Sequence, residues 1–188
     1  GNENHEISNH SKLGIENDLI LENCDIKNFD QVRYLIEKYK PNEIYNLAAE
    51  SSVGKSYKHP KQSFTSIVDV TLNILEVCRQ IKYDGNIFFA GSSEIFGNTD
   101  NQATIKHKQN PVNPYGIAKQ TSYNLVKMYR ERYNLKCVTG ILFNHESPLR
   151  NKDFVTQKII SEALHCAQNK SHKVKMGNLN ISRDWGWA

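Results

Sequence analysis

Apolar positions recur along this chain in two alternating rhythms. Four short runs read as strands: Leu19-Ile20-Leu21, Glu43-Ile44-Tyr45-Asn46-Leu47-Ala48-Ala49, which looks like a buried one, Asn86-Ile87-Phe88-Phe89-Ala90 and Lys136-Cys137-Val138-Thr139-Gly140-Ile141-Leu142. Between them the apolar residues adopt helical spacing. From Asn28 to Tyr39 they fall at 29, 32, 35, 36 and 39, with Asn28 placed to cap the helix and Pro41 to stop it. A long helix is predicted over about 63–81, carrying Ile67, Val70, Leu72, Ile74, Leu75 and Val77 and followed by an Asp84-Gly85 turn. Pro114 opens another helix that runs to about Tyr133, and a further one spans about 153–169. Lys173 to Asn178 suggests a last short strand, and the polar opening from Gly1 to Asn17 reads as loop. Strands alternating with helices of ~12 to 20 residues imply right-handed βαβ units, and hence an α/β fold with a doubly wound parallel sheet.

The chemistry concentrates at one point of that pattern. The strand-like run 86–90 leads into Gly91-Ser92-Ser93-Glu94, at the carboxyl edge where an open α/β sheet presents its ligand site. About twenty residues later, beyond a polar loop, comes Tyr115-Gly116-Ile117-Ala118-Lys119. Residues four apart share a helix face, so the Lys119 charge bears on the Tyr115 phenol. A cation there favours phenolate, lowering a pKa that starts near ~10 and fitting Tyr115 for general-base work near neutrality. A hydroxyl, a carboxylate, a phenol and an ammonium in one crossover are the parts of a hydride-transfer site. The alternative for Ser92 and Ser93 is simple capping of the following turn.

Composition narrows the setting. At 188 residues the chain suffices for one domain with a real core, taken as 1–188 with a second functional portion beginning at about 144. It has 38% hydrophobic and 23% charged residues, and no apolar run nears the ~20 residues of a membrane span, so neither disorder nor a membrane partner is expected. The net charge of +4 is spread out rather than gathered in a basic block, so it gives only a weak argument for nucleic acid, none is expected as a partner, and an anionic small substrate suits it as well. The 4 cysteines, at 24, 78, 137 and 166, have no C-x-x-C spacing; they read as reduced thiols, no metal site is expected, and with no secretory or transit pattern the expected location is cytoplasmic.

Several stretches together resemble one family. The run Gly140-Ile141-Leu142-Phe143-Asn144-His145-Glu146-Ser147-Pro148-Leu149-Arg150, then Phe154-Val155-Thr156, Gly177-Asn178-Leu179 and Arg183-Asp184-Trp185-Gly186, is similar to GDP-mannose 4,6-dehydratases of the extended short-chain dehydrogenase/reductases. Tyr45-Asn46-Leu47-Ala48-Ala49 and the Ser92-Ser93-Glu94 with Tyr115 and Lys119 fit the same family, so the resemblance covers about 19–188. The Asn-His-Glu-Ser-Pro block is the specific part, since Tyr-x-x-x-Lys is shared with sugar-nucleotide epimerases and reductases.

The resemblance implies a Rossmann-like fold, NADP as cofactor, GDP-mannose as substrate and a homo-dimer or homo-tetramer. It implies that Tyr115 takes the C4 hydroxyl proton, that Glu94 is the C5 base, that Ser92 or Ser93 relays a proton as water leaves C6, and that Lys119 also holds the nicotinamide ribose. Asp25 and Ile26 would meet the adenine at the end of their strand, and Leu47, Ala48, Ala49, Glu50 and Ser51 would line the cofactor path. His145 and Arg150 match positions near the cofactor, Asn144 and Ser92 the substrate side, and Arg183 a diphosphate contact, since a guanidinium pairs bidentately with phosphate oxygens.

The chain departs from that pattern too. A Gly-x-x-Gly-x-x-Gly turn with its first strand and helix is not in this sequence, nor is the family's continuation past Ala188, so the fold is expected to be incomplete at both ends. Glu50 stands where Gln is usual, adding a negative charge that needs a partner, with Lys55 the expected one. Alternatives are a 4-epimerase or 4-keto reductase, which would need no C5 base, and a non-catalytic fragment.

Overall fold

The structure is a computed structural model that describes residues 8–188. By its internal contacts the chain separates into two compact units, 23–142 and a second made of 1–22 with 143–188. Of the opening expected as loop, residues 1–7 lie outside the described part, while Asn9–Leu13 forms a short helix, α1, in the second unit. The Ser8 side chain caps it by accepting from the Ser11 N–H, and Gly14 closes it in the left-handed conformation at φ 68°.

The unit 23–142 is a parallel α/β layer. Helix α2 (Phe29–Tyr39) starts as the sequence predicts, with the Asn28 side chain accepting from the Gln31 N–H, and ends at Lys40 just before Pro41. Strand β1 (Glu43–Asn46) follows, then helix α3 (Val53–Lys58), capped by Ser52. The predicted helix over 63–81 is helical throughout but not uniform. It comprises α4 (Pro60–Phe64), a π turn at Thr65–Asp69 and α5 (Val70–Gln80). Within the π turn, Ile67 O accepts the hydroxyls of Thr71 at 2.7 Å and of Ser122 at 3.3 Å, the second tying this segment to the later helix that carries Ser122. Strand β2 (Asn86–Ala90), helix α6 (Pro114–Tyr133) and strand β3 (Cys137–Gly140) complete the unit.

The sheet order is β1-β2-β3, all parallel, with Ile44 opposite Ile87 and Phe88 opposite Val138. Alternation along β2 decides its two faces: Ile87 and Phe89 are buried while Asn86 is exposed. The buried face packs on α2, α5 and α6 in one cluster that includes Val32, Leu75, Val77, Cys78, Val126 and Cys137. Helices α5 and α6 are also joined by the Tyr129 hydroxyl, which donates to Glu76 Oε2 at 2.9 Å, while Arg79 pairs with the same carboxylate.

Two strand expectations fail. Leu19-Ile20-Leu21 joins no ladder among the described residues, and Ile20 and Leu21 are 75% and 71% exposed. Apolar content alone does not make a strand; a paired neighbour does. The segment 173–178 is likewise irregular. The second unit instead pairs β4 (Asn144–Glu146) in parallel with β5 (Trp185–Trp187), on either side of helix α7 (Val155–Gln168).

Leu75 is fully buried at the centre of the first core. Leu75→Ala is expected to lower the unfolding free energy by about 2–5 kcal/mol, read by urea titration, because the helices that surround it cannot close the void completely.

Candidate active site

The carboxyl edge of β2 brings the predicted side chains together. After Ala90 the chain stays tied to its neighbour: Gly91 N donates to Gly140 O at 2.8 Å and Ser93 N to Leu142 O at 2.9 Å. This fixes the start of a 3-10 turn at Ser93–Ile95, and the Ser92 hydroxyl caps the turn by accepting from the Glu94 N–H at 3.2 Å. The capping alternative for Ser92 is therefore realised, without removing the residue from the site, where it is 8% exposed.

Glu94 is aimed by a residue that the motif reading passed over. Asn113 is the N-cap of α6, its Oδ1 accepting from the Gly116 N–H at 2.7 Å. Its Nδ2 donates to Glu94 Oε2, also at 2.7 Å. One buried amide thus starts the helix that carries Tyr115 and grips the carboxylate facing it. The signal was present as Asn113-Pro114, a cap residue before a proline at the first helical position. Gly116 permits this approach, since a Cβ there would lie 2.7 Å from Glu94 O and 3.0 Å from the Pro111 Cβ.

Tyr115 and Lys119 are each 8% exposed on α6. The Lys119 ammonium lies 5.7 Å from the Tyr115 ring centroid and donates to Ala90 O at 2.7 Å, so the helix is anchored to the end of β2. Burial pulls the Lys119 pKa down to about 8 from an ordinary value of 10.5. The cation expected to act on Tyr115 is therefore present at neutral pH and lost in mildly alkaline solution.

Of the cofactor-path residues, Ala48 and Ala49 line a cavity of about 10 Å³ with Asn46, Gly91, Lys119 and Thr139. The Thr139 hydroxyl is buried there with no hydrogen-bond partner among the described residues. Leu47 is exposed, and Glu50 does not pair with Lys55 but accepts the N–H groups of Ser51 and Ser52, both at 2.9 Å. Short-range backbone donors hold its charge more cheaply than a mobile lysine would. Asp25 and Ile26 stand in a turn rather than at a strand end: Asp25 Oδ1 accepts from Lys27 N, and Ile26 O from Asn73 Nδ2. The residues fit the nicotinamide end of a dinucleotide, since the ammonium of Lys119 has further N–H donors beside small residues at a sheet edge.

Asn144, His145, Arg150 and Arg183 belong to the other unit. Asn144 pairs with Trp185 in the β4-β5 ladder, and His145 Nδ1 lies 2.8 Å from Phe143 O. Arg150 stacks on Phe154 with its guanidinium carbon 3.6 Å from the ring centroid, 3.8 Å from Glu146 by its Nε. Arg183 is exposed and donates to Ser182 O.

With this geometry in hand, comparison with known proteins is decisive for the family. The family model described as GDP-mannose 4,6 dehydratase matches residues 2–188. The chain belongs to the GDP-mannose 4,6-dehydratase family. It is similar to GDP-mannose 4,6 dehydratase 2 of Arabidopsis thaliana, 37% identical over 169 residues, covering 88% of this chain and 45% of that protein. It is also similar to the GDP-mannose 4,6-dehydratase of Vibrio cholerae, 37% identical over 176 residues, covering 90% of this chain and 46% of the relative. The chain thus spans somewhat under half the length of these dehydratases. Among solved structures, the dTDP-glucose 4,6-dehydratase of Streptomyces venezuelae, with NAD bound, superposes with a TM-score of 0.82 at 17% identity, over 94% of this chain and 53% of that one. The UDP-glucuronic acid 4-epimerase of Bacillus cereus, in complex with NAD, gives 0.81 at 22%, over 95% and 55%. These likenesses establish the Rossmann-type fold of this dehydratase-family chain.

Asn113→Ala is expected to cost about 1–2 kcal/mol of stability through the lost cap, measured by thermal or urea unfolding. Lys119→Met removes a buried charge whose pKa is lower folded than unfolded. Below about pH 8 that penalty is fully present, and it is relieved as pH rises from about 8 to 10.5, where only the unfolded chain holds the proton. The variant should be more stable than the parent at pH 7 by on the order of 3 kcal/mol, with the gap closing toward pH 10.5. Taking the difference between the two proteins cancels the opposing effect of Cys78, whose thiol burial pushes up to about 12.

Proposed function

We propose that the protein acts as a nicotinamide-dependent GDP-mannose 4,6-dehydratase, giving GDP-4-keto-6-deoxymannose. The observation that carries this reading is the placement of Glu94, a carboxylate held by Asn113 against the start of the Tyr115 helix. A 4-epimerase or 4-keto reductase has no need of a base at C5, and a 4,6-dehydratase does.

In this reading Tyr115 takes the proton of the C4 hydroxyl, with Lys119 supplying positive charge below about pH 8 and a ribose contact. When bound, the nicotinamide cofactor supplies the hydride acceptor for C4 and the hydride donor for C6; the NAD and NADPH complexes of structural neighbours support a nicotinamide cofactor, and we propose the NADP form. The C4 carbonyl spreads the charge that develops at C5, so Glu94 can remove a proton otherwise too weakly acidic. The C6 hydroxyl leaves as water once protonated, with Ser93 or Ser92 as relay, and the C5 position regains a proton as the C4–C6 transfer completes.

The remaining assignments are part of the same proposal. Leu47, Ala48, Ala49, Glu50, Ser51, Asp25 and Ile26 border the cofactor, His145 and Arg150 approach it, Asn144 and Arg183 serve the nucleotide sugar, and the segment from about 144 begins the substrate portion. We place the protein in the cytoplasm, a reading supported by four free cysteines, and as a homo-dimer or tetramer through α4–α5 and α6, on which Phe64, Leu72, Ile117 and Met128 are exposed.

Incubating the protein, at the full length of its relatives, with NADP and GDP-mannose in heavy water should give a product lighter by one water and carrying solvent deuterium at C5. Glu94→Gln should cut turnover by about 10²–10⁴-fold. Retained dehydration in that variant, or deuterium-free product, would sink the assignment of Glu94; a 4-epimer or 4-hydroxy product would favour the alternative enzymes.

A further inference from the structure

The end of α7 gathers three metal-ligating side chains that the proposed reaction does not use. Glu162 and His165 are three apart on the helix and so share a face. The chain then leaves the helix at Asn169 and folds back. The His172 N–H donates to Asn169 O at 3.0 Å, Ser171 N donates to Asn169 Oδ1 at 3.0 Å, and the Cys166 thiol donates to His172 O at 3.6 Å. This tight return sets the His172 ring beside the last turns of the helix. Its Nε2 lies 2.8 Å from Glu162 Oε2, and His165 Nδ1 lies 4.0 Å from Glu162 Oε1. The two rings meet edge to face, with centroids 5.6 Å apart.

One nitrogen from each histidine and one carboxylate oxygen all lie within 4.8 Å of one another. An ion bonded at about 2.0–2.2 Å holds tetrahedral ligand atoms some 3.3–3.6 Å apart, so small side-chain rotations bring this triangle to bonding geometry. Two imidazoles and one carboxylate suit Zn²⁺ and its late first-row neighbours and suit Mg²⁺ and Ca²⁺ poorly, since the latter prefer all-oxygen sets.

We propose that Glu162, His165 and His172 form a binding site for a Zn²⁺-class divalent ion, with a fourth position open to solvent. The ion would clamp the return at 169–172 onto the end of α7, as a structural staple within its own unit. The site is independent of the hydride-transfer chemistry, so it stands whether or not the dehydratase reading does.

Titration of the intact, tag-free protein with zinc chloride by calorimetry tests it. The expected result is one Zn²⁺ per chain at micromolar or tighter affinity, with no comparable uptake of Mg²⁺. His165→Ala keeps the Glu162–His172 hydrogen bond and removes an exposed side chain, so it should fold; it should weaken zinc binding about tenfold or more, as should His172→Ala. Absence of saturable zinc uptake, or uptake unchanged in His165→Ala with native circular dichroism, overturns the proposal.

Discussion

A single amide, Asn113, couples the two chemical halves of the site. Its oxygen begins α6 and its nitrogen restrains Glu94, so the orientation of the helix and of the carboxylate cannot change independently. A buried side-chain amide has a fixed separation between donor and acceptor, and both are engaged by partners that are themselves part of packed elements. Gly116 makes the arrangement sterically possible, because any side chain there would push Glu94 away from the helix. Lys119, one turn further on, closes the frame by reaching back to Ala90 at the end of β2.

That last contact sets folding against the chemistry proposed for Lys119. The ammonium is buried to reach the strand end, and burial lowers its affinity for its proton. A surface lysine would keep its charge far into the alkaline range, but would neither tie α6 to the sheet nor act on the Tyr115 ring from 5.7 Å. The cost falls on stability and is confined to one residue, while the surrounding cluster of Ile67, Val68 and Ala118 supplies apolar packing.

How much of this was legible in the sequence depended on the range of the forces involved. Helices α2 and α6 were readable because Asn28, Pro41 and Pro114 act within a few residues, and β1, β2 and β3 because short apolar runs between helices find neighbours in one sheet; the burial expected of the first run is not realised, since Tyr45 and Leu47 stay 62% and 68% exposed. Leu19-Ile20-Leu21 misled because a strand exists only through its neighbour, and Trp185–Trp187 was missed for the same reason in reverse. Within the site, the Tyr115, Lys119 and Glu94 constellation was visible as spacing, whereas the partner of Glu50 was not, since backbone donors leave no mark in composition. The gathering of Glu162, His165 and His172 was hidden by an irregular return that only coordinates reveal.

The π turn at Thr65–Asp69 gives the long helix two different obligations. Before it, α4 packs along α6; after it, α5 lays Val70, Ile74 and Val77 into the core beneath the sheet. Each residue advances an α-helix by about 100°, so the extra residue in the wide turn resets the phase between these two faces. Chain length in this segment is therefore constrained more tightly than residue identity. Removing one residue would restore a regular helix, yet turn one of its two faces away from the surface it was built to meet.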